Sequence, residues 1–157
     1  MAATSTELQR RRWLALALLL AGPAAWARPD GNAVPIDVWK SPTCGCCKDW
    51  VRHLASNGFK VRTHDVGNTA VRQGLGMPAR LGSCHTASIG GDAIEGHVPA
   101  REIHRLLKQR PAAVGLAVPA MPVGSPGMDG PAYGQRKDPY DVLLVAKDGS
   151  TTAYQRY

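Results

Sequence analysis

Three cysteines fall within four positions of the segment "SPTCGCCKDW", residues 41–50, and one further cysteine, Cys84, completes the set. Cys44 and Cys47 are spaced C-x-x-C, the arrangement of a thiol redox pair at a helix start, where the helix dipole and free backbone amides favour a thiolate. Cys46, inside the pair, does not suit that scheme: a third thiol beside a redox couple invites misreaction, whereas a metal that prefers sulfur gains a donor. Thiolate and thioether ligands favour Cu(I), and imidazole completes such a site. Purely structural disulfides are disfavoured, because a bridge between neighbours or near neighbours departs from the geometry the bond prefers. At most Cys44 with Cys47, or one of the three with Cys84, bonds comfortably. Zinc sites are usually built from two separated cysteine pairs, and three donors so close in sequence do not readily take three tetrahedral corners, so bridging thiolates around several Cu(I) ions are the more natural product.

The other donors follow from this cluster. His97, in "EGHVP", is the candidate imidazole; His85 follows Cys84 directly and ranks behind it, and His53, His64 and His104 read as surface or structural. Met121 and Met128 sit in a Gly/Pro-rich stretch without apolar periodicity, which favours thioether donation over core filling. The metal set is therefore Cys44, Cys46, Cys47, Cys84, His97, Met121 and Met128. Cys44 and Cys47 are the catalytic pair of the rival reading, a thiol-disulfide oxidoreductase that uses no metal.

These residues need elements to carry them. "VPIDVWK" alternates as a strand and leaves through the loop "SPTCG"; from Cys46 the spacing of Cys47, Trp50, Val51 and Leu54 predicts a helix that stops at Asn57-Gly58. "FKVRTHDV" predicts a second strand and Asn68–Leu75 a short helix. "HTASIGGDAIEG" predicts a hairpin turned at Gly90-Gly91, and "AREIHRLLKQR" a closing helix between Pro99 and Pro111. The order strand, helix, strand, helix, hairpin, helix is the succession of an α/β, thioredoxin-like domain, in which the loop after the first strand carries the chemistry. "GLAVPAMPVGSPGMDGPAYGQ" predicts a long loop, and "PYDVLLVAKDGSTTAYQRY" a final hairpin turned at residues 147–150.

The 157 residues suffice for one core. Residues 1–27 combine Arg10, Arg11 and Arg12, the apolar run "WLALALLLAG" and the small-x-small site "AWA", which predicts a cleaved export signal; "RRRWL" also permits twin-arginine export. Residues 28–33 read as a flexible leader and 34–157 as the domain. Export predicts a periplasmic location, an oxidising compartment in which free thiols need a metal or a reducing partner. Removing the signal takes away three Arg and one Glu, so the formal charge falls from +7 to +5. The basic residues are scattered and no aromatic platform accompanies them, which argues against nucleic acid. The apolar run is well short of the ~20 residues that span a bilayer, so no membrane span is expected in the mature protein.

The segments "CGCCKDWVRHLASNGF", "GMPARLGSCHTASIGGDAIEGHVPAREIHRLL" and "GLAVPAMPVGSPGM" together resemble the CopG-like proteins, small exported metal-binding proteins found with copper-resistance systems. The resemblance runs from about Val34 to Val145. It implies a thioredoxin-like fold and a copper cluster on Cys44, Cys46 and Cys47, with Cys84 and His97 as further members and Met121 and Met128 behind them. It also implies copper ions as partner, alongside other copper-handling or redox proteins of the cell envelope. Storage, delivery and Cu(I)/Cu(II) interconversion, the last making the protein a copper oxidoreductase, all stay open at this point.

Overall fold

A computed structural model describes residues 33–157. The expected export signal, residues 1–27, and the leader up to residue 32 lie outside the described residues. Strand β1 (Val34–Lys40) is followed by helix α1 (Gly45–Ser56), strand β2 (Phe59–His64), helix α2 (Thr69–Gly74), strands β3 (His85–Ile89) and β4 (Asp92–Glu95) and helix α3 (Ala100–Gln109). Strands β5 (Ala113–Ala117), β6 (Asp141–Ala146) and β7 (Thr151–Arg156) complete the chain. All seven strands join one mixed sheet in the order β2-β1-β3-β4-β5-β6-β7. Among the described residues no helix is long and apolar enough to cross a membrane.

The expected elements are present, with one correction. Residues 115–135 are not a loop from end to end: β5 occupies the first part, parallel to β4 and antiparallel to β6. The terminal hairpin is thereby part of the main sheet rather than an appendage. Glycine and proline around "AVGLAVP" hid the strand, and Gly115 explains why glycine is there. A Cβ on it would lie 1.8 Å from the Ala93 carbonyl oxygen, at the register shift where β5 meets β6.

Side chains alternate between two faces, as period-two strands require. Ile36, Val38, Ile94, Leu116 and Val142 enter the larger core with Trp50 and Leu54 of α1 and Ile103 and Leu106 of α3. Ala93, Ala117 and Val145 face the other way, under Met77 and Leu81.

The antiparallel β1–β3 register sets Lys40 opposite His85, so the loop leaving β1 and the residue entering β3 emerge at the same sheet end. Thr86 lies opposite Glu95 and Glu95 opposite Ala117, so the chain leaving β4 and the chain leaving β5 emerge there too.

Helices α1 and α3 are tied together by two imidazoles. The Ala100 N–H, at the first turn of α3, donates to His53 Nε2 (3.0 Å), and His104 Nε2–H donates to the Asn57 carbonyl at the end of α1 (2.8 Å). His53 caps α3 only while its Nε2 is unprotonated. Burial, opposed by nearby Asp129, lowers its pKa below the ordinary 6.5. The unfolded chain therefore takes up this proton more readily than the folded one, and stability rises with pH through the range below about 6.5. The urea midpoint is expected to climb between about pH 5.5 and about pH 7.5. His53→Leu should flatten part of that climb and cost about 1 kcal/mol at neutral pH through the lost cap; an unchanged pH profile in this variant would contradict the assignment.

Candidate metal centre

Cys44 is the N-cap of α1 and Cys46 and Cys47 lie in its first turn; no side chain caps that turn and it holds no acidic residue. Its amides are thus free to favour thiolate. Cys47 is buried on the helix face that also buries Trp50 and Leu54, which fixes the rotation of the turn, and Cys46 is half-buried beside it. Cys44 and Cys47 are joined in a disulfide, the one comfortable pairing within the triplet, with Cα atoms 5.4 Å apart. Cys46 and Cys84 are free thiols.

Cys84 arrives on the far side of the β1–β3 register. Its Sγ lies 3.8 Å from Cys46 Sγ, which is 3.5 Å from Cys44 Sγ. The four ligand sulfurs all lie within 4.8 Å of one another. A second group shares Cys84: its Sγ is 3.4 Å from His85 Nδ1 and 3.3 Å from His97 Nε2.

The far nitrogen of each imidazole fixes its tautomer. His85 Nε2 faces the Gly96 carbonyl at 2.9 Å and His97 Nδ1 the Pro126 carbonyl at 2.8 Å. A carbonyl only accepts, so both of these nitrogens carry the hydrogen, and His85 Nδ1 and His97 Nε2 turn bare lone pairs toward Cys84. Carbonyls that orient imidazoles from behind are the usual outer support of a metal ligand. Burial holds both histidines below their ordinary pKa, His85 well below, with His97 beside it adding to the effect. Both are therefore neutral at pH 7. Burial, then the neighbouring Cys46, pushes the Cys84 thiol up to about 12, so this sulfur keeps its proton until a cation displaces it.

Two packing contacts hold the site. Trp50 is fully buried, donates Nε1–H to the Val98 carbonyl (2.9 Å), and packs its ring 4.2 Å from that of His85. Gly127, at φ 85°, lets the tail lie directly on α1: a Cβ there would sit 2.6 Å from the Cys46 carbonyl oxygen and 2.8 Å from Trp50 N. That approach brings Pro126 to His97.

Of the residues expected from sequence, Cys44, Cys46, Cys47, Cys84 and His97 come together. Met121 is 48% exposed and lines a surface groove with Pro119, Pro122 and Tyr140. Met128 is buried, and its sulfur accepts a hydrogen bond from the Tyr133 hydroxyl (3.3 Å). His85 belongs to the centre more fully than its rank in the sequence suggested. In a regular strand neighbours point to opposite faces, but Cys84 precedes β3, so adjacent residues 84 and 85 converge. The pairing of Cys and His in "SCHTA" was the only available signal.

Comparison with known proteins places this geometry. Two solved chains, described as copper resistance protein CopG form 1 and form 2, are 47% and 46% identical and superpose with TM-scores of 0.73 and 0.72. They match 80% and 79% of this chain and, in both cases, 98% of their own length. The chain belongs to the CopG-like copper-resistance family. DUF411, described as a protein of unknown function, matches residues 81–128, the span that carries Cys84, His85, His97 and the Pro126–Gly127 contact. No curated protein matches.

Unreduced native protein treated with iodoacetamide near neutral pH is expected to label Cys46 first. Cys84 should lag a free cysteine by roughly tenfold or more, because so little of it is thiolate. Peptide mass spectrometry reads the order, and faster labelling at Cys84 would contradict its described environment.

Proposed function

We propose that this chain is an exported copper-binding protein that holds Cu(I) in copper resistance. Its thiolates are Cys44, Cys46, Cys47 and Cys84, with His85 and His97 as imidazole donors. The observation that carries the proposal is the position of Cys84, whose sulfur meets Cys46 on one side and two imidazole lone pairs on the other. Neutral imidazoles and polarisable sulfurs make a soft donor set that suits a monovalent copper ion better than a hard cation. Because Cys84 belongs to both donor groups, it is the natural bridge, which favours more than one ion. Met121 and Met128 are auxiliary thioether donors in this reading, although Met121 stands on the surface and Tyr133 holds the Met128 sulfur.

The disulfide adds a condition. With Cys44 and Cys47 bonded, only half of the sulfurs are available. Full loading needs two electrons and two protons to give two thiols, which a dithiol of the cell envelope supplies while it becomes a disulfide itself. The thiol protons are released in turn when copper binds. Cycling between these states joins metal holding to thiol redox chemistry in one site. The order β1-α1-β2-α2-β3-β4-α3, with β1 and β2 parallel and β3 and β4 antiparallel, supports a thioredoxin-like core to which β5 adds the hairpin. The pattern of residues 1–27 supports export to the periplasm.

The disulfide at a helix start also favours a second reading, a thiol-disulfide oxidoreductase without metal. A Cu(I) titration against a chromogenic chelator separates the two. Reduced protein should bind tightly, unreduced protein should bind fewer ions, and Cys84→Ser should weaken binding roughly 10- to 100-fold. Absence of tight binding by reduced protein, with disulfide exchange surviving in Cys46→Ser and Cys84→Ser, would establish the second reading instead.

A further inference from the structure

The peptide groups on either side of Ser83, the residue before Cys84, are held at both polar atoms. The Ser83 N–H donates to Glu95 Oε1 (2.6 Å), and the Ser83 carbonyl accepts from Arg72 Nη2 (2.7 Å) and Asn68 Nδ2 (3.2 Å). Glu95 is wholly buried, pairs with Arg72 Nε through Oε1 (3.0 Å), and accepts from the Thr86 hydroxyl through Oε2 (2.6 Å). Asn68 also donates to Thr86 Oγ1 (3.1 Å), and the Ser83 hydroxyl donates to the Ala120 carbonyl (2.5 Å). Downstream, His85 is held by its register with Lys40. Cys84 is therefore clamped from both directions along the backbone.

The cost of this arrangement is informative. A buried ion pair is weak evidence for stability, since apolar residues of similar volume often do as well or better. Burial raises the Glu95 carboxyl above its ordinary pKa despite Arg72, Thr86 and the Ser83 amide. What the charges do supply is direction: Glu95 Oε1 on the Ser83 N–H and the Arg72 guanidinium on its carbonyl fix one peptide conformation, which apolar packing would leave free to slide.

We propose that Arg72 and Glu95 are positioning residues, which act through the Ser83 peptide to hold the Cys84 sulfur against Cys46 and the two imidazoles. The consequence for copper rests on the metal-binding reading above; the placement of the sulfur does not. Arg72 and Glu95 touch none of the proposed donor atoms themselves, and no step of metal binding requires either to change charge.

Two measurements on the full chain test the proposal. In a Cys44→Ser/Cys47→Ser background, diamide can join only Cys46 to Cys84, and the rate of that bond reports their juxtaposition with no metal present. Glu95→Gln is expected to slow it roughly tenfold, and Asn68→Ala, a milder change that decides the matter if Glu95→Gln does not fold, by roughly threefold. Leu106→Ala, a core change far along α3 chosen to lower the melting temperature comparably, should leave the rate unchanged. With the four cysteines intact, Cu(I) affinity should fall about 10- to 100-fold in Glu95→Gln and in Arg72→Met, and by less in Arg72→Lys, which keeps the charge. Slower cross-linking with no Cu(I) binding by the parent would sustain the positioning role and remove the copper reading. Cross-linking that tracks melting temperature alone, Leu106→Ala included, would overturn the positioning role.

Discussion

The centre depends on one constraint, the antiparallel register of β1 and β3 that sets Lys40 opposite His85. The loop after Lys40 leads at once into the C-x-C-C turn, and the residue before His85 is Cys84. Once these strands pair, thiols that are 37 to 40 positions apart in sequence have nowhere else to go. A one-residue slip would send every side chain of β3 to the wrong face, and the alternation of Ala87 and Ile89 into the core opposes it. Hydrophobic patterning in the sheet thus decides a distance between sulfurs.

Around that constraint the molecule spends polar interactions unevenly. Most ion pairs are exposed, such as Arg136 with Asp138 and Arg156 with Asp141, and contribute little. Near the site stand the Arg72–Glu95 pair behind Ser83, the carbonyls behind both imidazoles, and Lys40, which pairs with Asp65 at the end of β1, while buried Glu102 pairs with Arg101 and Arg105 on α3. Buried polar groups need full partnership to be tolerated. Here that partnership also orients donors, so the interactions that satisfy the backbone are the same ones that aim the lone pairs. The tail completes the enclosure, since Gly127 alone permits it to touch α1 where Pro126 can reach His97.

Much of this was legible in the sequence. The β1–α1–β2 segment declared itself through period-two and period-3.6 patterning, the Gly90-Gly91 turn through its glycines, and the cysteine cluster through spacing that neither staples nor a simple redox pair explain. Three features were not legible, each for a physical reason. β5 was hidden because a central strand that must pass within touching distance of Ala93 uses glycine, which normally signals a loop. His85, which follows Cys84 directly, ranked behind His97, because no local pattern shows that Cys84 stands outside β3, where two adjacent side chains can converge. The roles of Glu95 and Arg72 depend on a cross-strand register and a distant helix, so no local spacing announces them. The disulfide between Cys44 and Cys47 was foreseen only as one of two sterically comfortable options, the other being a bond from the triplet to Cys84.

The most direct test of the central claim is X-ray absorption at the copper edge on the fully reduced, Cu(I)-loaded chain, compared with Cys84→Ser and with a His85→Ala/His97→Ala variant. The account predicts a sulfur-dominated shell that loses sulfur in Cys84→Ser and nitrogen in the double histidine variant, because two distant segments supply donors to the same centre. A shell of oxygen and nitrogen, or one that neither variant changes, would contradict it.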